Sequence, residues 1–361
     1  MTKQIQKKRA LFQSVKLLIE KARKHVVRNV NTTMLVTNFE IGRMIVEEEQ
    51  HGKNRADYAA KIILQLSKDL TKEFGRGYST SNLEYFRKFY LTYSSSISQS
   101  LTGKSKKESN SASPMRNSTM SQISQSVTGK FKFSSLSWTH YVELLKIESN
   151  DERSFYEIET VQNNWSVREL QRQYSSALYE RLVLSKDKKG VKKLANKGHV
   201  VENVTDVLKT SYVLEFLDLR EDNRYTETDL ETAIINKLEH FMLELGKGFC
   251  FVGRQKRFTF DGDSFFADLV FYNRLLKCFV IVDLKIGKLT HQDIGQMQMY
   301  VNHYDRMIKQ QDENATIGII LCREENKAVV EFTFPEKQKQ IFTKEYKLYL
   351  PSRQALIKQL Q

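Results

Sequence analysis

The apolar positions of this 361-residue chain follow two periods, helical at first and then alternating between strand and helix. Residues 10–92 read as helices. Asn38–Glu47 is an amphipathic turn series, and Tyr58, Ile62, Leu66 and Leu70 recur at helical spacing between Ala56 and Phe74. Gly75-Arg76-Gly77 ends that helix, and Ser79 caps a new one over Thr80–Tyr90. Helices resume at Leu136 and run to about Leu184. Within them Ser166 with Glu169 forms a capping box, and Trp165 with Leu170 a hydrophobic staple. Beyond residue 229 the pattern changes. Leu230, Ala233, Ile234, Leu238, Phe241, Met242 and Leu245 share one stripe and predict a helix over Asp229–Leu245. A meander follows over residues 256–285. Its first run reaches Phe260, Asp261-Gly262-Asp263 turns the chain, Phe265–Tyr272 is the second run, and Cys278–Lys285 is the third. Ile294, Met297, Val301, Tyr304 and Ile308 predict a helix over His291–Lys309, and Thr316–Cys322 a further strand. The fold class is α+β overall, a helical first half before an α/β second half.

Composition refines the boundaries. Residues 93–135 are rich in Ser, Lys and Asn, and Ile97–Lys104 nearly recurs as Ile123–Lys130. That bias predicts a flexible insertion. The expected domains are a helical one over 1–185, a basic linker over 186–199 and a second domain over 200–361.

The net charge of +14 is unevenly placed. Residues 1–225 hold 38 Lys and Arg against 25 Asp and Glu, a net +13, whereas residues 226–361 hold 19 against 18. An acidic partner for the first half is expected, and nucleic acid is the natural one, because neutralising phosphates releases counterions. The helix–glycine turn–helix around Gly75–Gly77 is compatible with a helix-turn-helix that offers Ser81, Asn82, Tyr85 and Lys88 to a groove, and equally with a helical bundle. No apolar run is long enough to span a bilayer, so no membrane partner is expected. Cys250, Cys278 and Cys322 lie in apolar runs without a Cys-x-x-Cys pair. They read as buried free thiols in a reducing, cytoplasmic setting.

The candidate chemistry sits in the third run. Asp283 and Lys285 are two residues apart in a strand and therefore share a face. Asp268 is the lone acid of the preceding run. Two converging acids suit a hard divalent cation, and a lysine beside it suits hydrolysis of a phosphodiester. The order of elements and acids resembles the PD-(D/E)XK nuclease superfamily. More narrowly, Phe251–Gln255, Ala267–Tyr272, Asp283-Leu284-Lys285 and Gly318–Cys322 resemble the YhcG-like bacterial nucleases, whose helical N-terminal region the first half also resembles. Gln296-Met-Gln-Met-Tyr300 is similar to the Gln-x-x-x-Tyr element of RecB-type nucleases. Two positions depart: Ala267 stands where the superfamily has Pro, and Asp283 where YhcG-like proteins usually have Glu.

The resemblance implies a restriction-endonuclease-like domain with a central mixed sheet flanked by helices, using Mg2+, with Mn2+ as a substitute, on nucleic acid, double-stranded DNA being the expected form. It leaves a homodimer open. Asp268 and Asp283 are the expected metal ligands, with the Leu284 carbonyl as a third oxygen. Glu231 is the first choice for an acid from the preceding helix and Glu244 the second. Lys285 would orient water or stabilise charge, Gln296 and Tyr300 would contact water or phosphate, and Arg254 and Gln255 would hold substrate backbone. The rival reading is a nucleic-acid-binding or protein-recruiting module with this fold and little cleavage.

Overall fold

The computed structural model describes residues 2–50, 55–102, 136–184, 188–219, 225–260, 263–334 and 338–360. It divides into two compact units, Met1–Gln171 and Arg172–Gln361.

The first unit contains α1 (Thr2–Gln50), α2 (Arg55–Phe74), α3 (Thr80–Thr102), α4 (Trp138–Leu144) and α5 (Asn150–Asn163); α6 (Val167–Ser175) runs across the boundary. Leu11, Leu18, Val26 and Val30 of α1 are exposed, and the helix enters the core from Leu35 onward, where Val36, Phe39, Ile45 and Val46 are also buried. α3 crosses α1 at Gly42. A Cβ there would stand 2.0 Å from the Phe86 carbonyl oxygen, so a side chain at this position would push the helices apart. Phe86 and Phe89 pack on Trp138 with ring centroids 5.0 and 5.4 Å away. Trp165 and Leu170 are buried as a staple requires, and Ser166 Oγ accepts the Glu169 N–H at 3.2 Å. α3 continues to Thr102, into the segment read as an insertion. The rest of that segment, residues 103–135 with the second copy of the near-repeat, lies outside the described residues.

The second unit runs through α7 (Leu178–Val183), α8 (Lys188–Lys197), α9 (Val204–Val207), β1 (Ser211–Val213), α10 (Glu227–Asn236), α11 (Leu238–Leu245), β2 (Phe249–Phe260), β3 (Asp263–Asn273), β4 (Cys278–Lys288), α12 (His291–His303), β5 (Ile317–Glu324), α13 (Lys327–Thr333), β6 (Ile341–Lys347) and α14 (Arg353–Leu360). The described strands form a six-stranded mixed sheet in the order β1-β6-β5-β4-β3-β2. β2, β3 and β4 are antiparallel, and β4, β5, β6 and β1 are joined by parallel pairings. One face buries Phe271, Val282, Leu284 and Leu321 against Leu230, Ile234 and Phe241 of α10 and α11. The other buries Ile281 and Ile320 against Ile294, Met297 and Val301 of α12. Truncating one such side chain to alanine costs about 2–5 kcal/mol.

Four local expectations differ from the structure. The helix expected over Asp229–Leu245 is two helices, broken at Lys237, where φ −118° and ψ 32° leave the helical region. α10 begins at Glu227 because Thr226 and Asp229 form a capping box. The helix expected to reach Lys309 ends at His303 and gives way to a π-helical turn, Tyr304–Ile308. The stretch read as a linker carries α8. Cys278 and Cys322 are buried thiols, but Cys250 is exposed, because it lies on the edge strand β2. Among the described residues no helix is long and apolar enough to cross a membrane.

Candidate active site

The site forms where β3 leaves β4. Their ladder runs from Asn273 opposite Cys278 to Leu269 opposite Val282 and stops, while β4 continues beside β5. One residue beyond the last pair, Asp268 Oδ2 accepts the Leu284 N–H at 2.9 Å. The carboxylate thus takes over the hydrogen bond that the departing strand no longer supplies. Asp283, between the last paired residue and Leu284, is 1% exposed.

Lys285 shares the face of Asp283, as the strand period requires, and its Nζ lies 3.0 Å from Asp283 Oδ2. This ion pair is the contact that the buried oxygen makes with a cationic side chain. Burial, and then the charge of Asp268, push the Asp283 carboxyl up to about 7 despite Lys285. Burial works against the Lys285 charge too, but Asp283 outweighs it and holds the ammonium above its ordinary value. Asp283 thus favours the ammonium form of Lys285.

α10 contributes two further acids. Glu231 is buried, and burial is the first reason its carboxyl is raised; Asp268 adds to it, and a hydrogen bond from Gln255 opposes it. Gln255 Nε2 donates to Glu231 Oε2 at 2.6 Å and to Asp268 Oδ1 at 3.1 Å. Gln255, expected to hold substrate, thus bridges the two carboxylates through its amide. Glu227 Oε2 lies 3.7 Å from Lys285 Nζ, and its other oxygen accepts the Ile286 N–H at 3.4 Å. Asp293 Oδ1 is 4.0 Å from the same ammonium. Sequence reasoning missed Glu227 and Asp293. Asp293 closes the capping box of α12 with Thr290, and Glu227 is a first-turn acid of α10, so each has an ordinary helical reason to be present.

Glu244, the second choice for the helix acid, is not at this site. It is fully buried, 2.5 Å from Arg181 Nη1, 3.5 Å from Lys209 and 3.6 Å from Arg172, and it accepts the Val213 N–H at 3.1 Å. Burial would raise its carboxyl, but Arg181, Lys209 and Arg172 together bring it down to about 2. The break at Lys237 separates Glu244 from the turn that carries Glu231.

Tyr300 is buried and donates from its hydroxyl to the Phe266 carbonyl at 2.8 Å, while Gln296 Nε2 donates to that hydroxyl. This pair ties α12 to β3. Arg254 is exposed on the edge strand. In the first unit Ser81 and Lys88 are exposed and Tyr85 is half-buried. Asn82 closes the glycine turn, donating to the Gly77 carbonyl at 2.9 Å, and Arg87 pairs with Glu49 at 2.7 Å.

The oxygens of Asp268 and Asp283 suit a hard divalent cation, and Asp283 is a buried carboxylate whose charge a cation would offset. Among the described residues no three His, Cys, Asp or Glu side chains converge closely enough to hold an ion. The aspartate pair is a partial donor set, and the Gln255 amide stands between Asp268 and Glu231.

The description of the YhcG PDDEXK nuclease domain matches residues 205–361, and that of the DUF1016 N-terminal domain matches residues 14–181. A protein of Escherichia coli (strain K12) named "Putative nuclease YhcG" is 40% identical over 346 residues, 95% of this chain and 91% of its own length. The chain belongs to the YhcG nuclease family. The six-stranded mixed sheet is thus the restriction-endonuclease-like core of a PDDEXK domain, preceded by the family's helical N-terminal region, and nucleic acid is the substrate class. A repair endonuclease from Pyrococcus abyssi, solved as a crystal structure, aligns with 37% of this chain and 50% of its own at 17% identity and a TM-score of 0.24.

Proposed function

We propose that this YhcG-family nuclease hydrolyses DNA with a divalent cation, Mg2+ by nature and Mn2+ as a substitute, and that its basic first half supplies DNA affinity. The observation that carries the reading is the juxtaposition of Asp283, buried and pushed up to about 7, with Asp268 and the fixed charge of Lys285.

Asp268 and Asp283 would hold the ion, with Glu231 as the acid from the preceding helix. When bound, the ion would supply Lewis acidity and a water of lowered pKa. The protein's own groups do the rest. Lys285 presents a positive charge to the phosphate as negative charge builds on it. Glu227 and Asp293 hold that ammonium in place from two sides. Asp268 anchors to the Leu284 N–H, so its second oxygen has a fixed direction. Gln296 and Tyr300 keep β3, and with it Asp268, against α12. In the first half, Ser81, Tyr85 and Lys88 on α3 are the candidate contacts to DNA. The net +13 of residues 1–225 supports this placement.

The test is incubation of the pure protein with plasmid, linear duplex, single-stranded DNA and RNA in Mg2+, Mn2+ or EDTA. Cleavage of duplex DNA in either metal and none in EDTA is expected. Metal-dependent cleavage of RNA alone would overturn the DNA assignment, and intact substrates throughout would leave a binding module.

A further inference from the structure

We infer that Gln255 is the placeholder of the metal site: its amide fills the gap between Glu231 and Asp268, and it must swing out before Glu231 can join Asp268 around a cation. The inference rests on the metal-dependent reading above and deepens it.

One nitrogen serves both carboxylates. A glutamine amide carries two N–H donors, and Gln255 Nε2 lies 2.6 Å from Glu231 Oε2 and 3.1 Å from Asp268 Oδ1. Two acids near each other without a cation need donors, and this amide supplies one to each. The same donors must leave before those oxygens can turn to a metal.

The backbone is arranged for the task. In the β2–β3 ladder Arg254 pairs with Leu269 and Lys256 with Ala267, and Gln255, between them and opposite Asp268, drops out of the pairing. Its φ is 46°, a left-handed conformation that a glutamine in a strand rarely adopts. Such strain at a functional site persists when the side chain is held by its surroundings, and here two carboxylates hold it. β2 is an edge strand and Gln255 is itself exposed, so its side chain can turn into solvent without opening the core.

Calorimetric titration of Mn2+ into the metal-free full chain tests this, with wild type, Gln255→Ala, Gln255→Gly and Asp283→Ala compared. Glycine accepts a positive φ freely, so Gln255→Gly removes the amide without forcing a Cβ into that conformation. Both Gln255 variants are expected to bind Mn2+ on the order of tenfold more tightly, since charge-assisted hydrogen bonds no longer compete. Their melting temperatures should also rise more on adding Mn2+. The gain should shrink in a Glu231→Ala background, where the amide competes only at Asp268. Unchanged or weaker binding in both Gln255 variants, or an undiminished gain without Glu231, overturns the placeholder. Wild type binding and Asp283→Ala failing to bind would still leave the metal site standing in that case. No binding by wild type or either Gln255 variant overturns the site and the placeholder together.

Discussion

Lys285 Nζ and Asp283 Oδ2 stand 3.0 Å apart on one face of β4, and each alters what the other can do. The carboxylate keeps the lysine charged, and the lysine lets a buried carboxylate approach ionisation near neutral pH. Lys285→Ala should lower single-turnover cleavage about 10²–10³-fold, the scale of losing one stabiliser of transition-state charge. Mn2+ affinity measured by calorimetry should not fall, because a cation beside the ligands has been removed. Lys285→Arg should recover part of the rate. Wild-type turnover in Lys285→Ala would remove the lysine from the chemistry.

Asp268→Asn and Asp283→Asn should each abolish cleavage while leaving the fold intact. Asparagine keeps an oxygen for the Leu284 N–H at position 268. At position 283 it removes a group whose ionisation opposes folding. The metal-free melting temperature of Asp283→Asn at pH 7.5 should therefore equal or exceed that of wild type. A variant that is folded by circular dichroism and cuts normally would show that the site is elsewhere.

Glu244 makes a different prediction, about stability. Glu244→Gln strips the anion from Arg181, which is fully buried, and should cost about 3–5 kcal/mol. The folded carboxyl is held near 2, below its ordinary 4.5, so the folded state binds fewer protons than the unfolded chain between those values. Stability is then present above the higher value and is lost as pH falls toward the lower one. Urea unfolding followed from pH 5 to pH 2 should show this slope in wild type and a shallower one in Glu244→Gln. Parallel curves would mean the ion pair has little weight.

Gly42→Ala should destabilise the first unit by about 1–3 kcal/mol, because the new Cβ meets the Phe86 carbonyl oxygen across the α1–α3 crossing. The chain's two tryptophans, Trp138 and Trp165, both lie in that unit, so fluorescence reports its unfolding in the intact protein. An unshifted fluorescence midpoint would show that the crossing relaxes without cost.

Much of this was legible in the chain itself. Strand periodicity alone placed Asp283 and Lys285 on one face, and the apolar stripes and turns ordered α10 through β5. β1 and β6 were not legible: β1 has three residues, and β6, Ile341–Lys347, mixes charges with its apolar positions and is completed only by its neighbours. Nor could sequence choose between Glu231 and Glu244, since both flank the same stripe. The break at Lys237 and the cations around Glu244 leave Glu231 as the one bridged to Asp268, through Gln255. Glu227 and Asp293 were hidden behind ordinary helix-start roles, and Gln255 carried no period that could aim it. Periodicity records which neighbours along one element share a face. Contacts between elements depend on where β3 parts from β4 and on which charges burial forces together, and only the folded chain settles those.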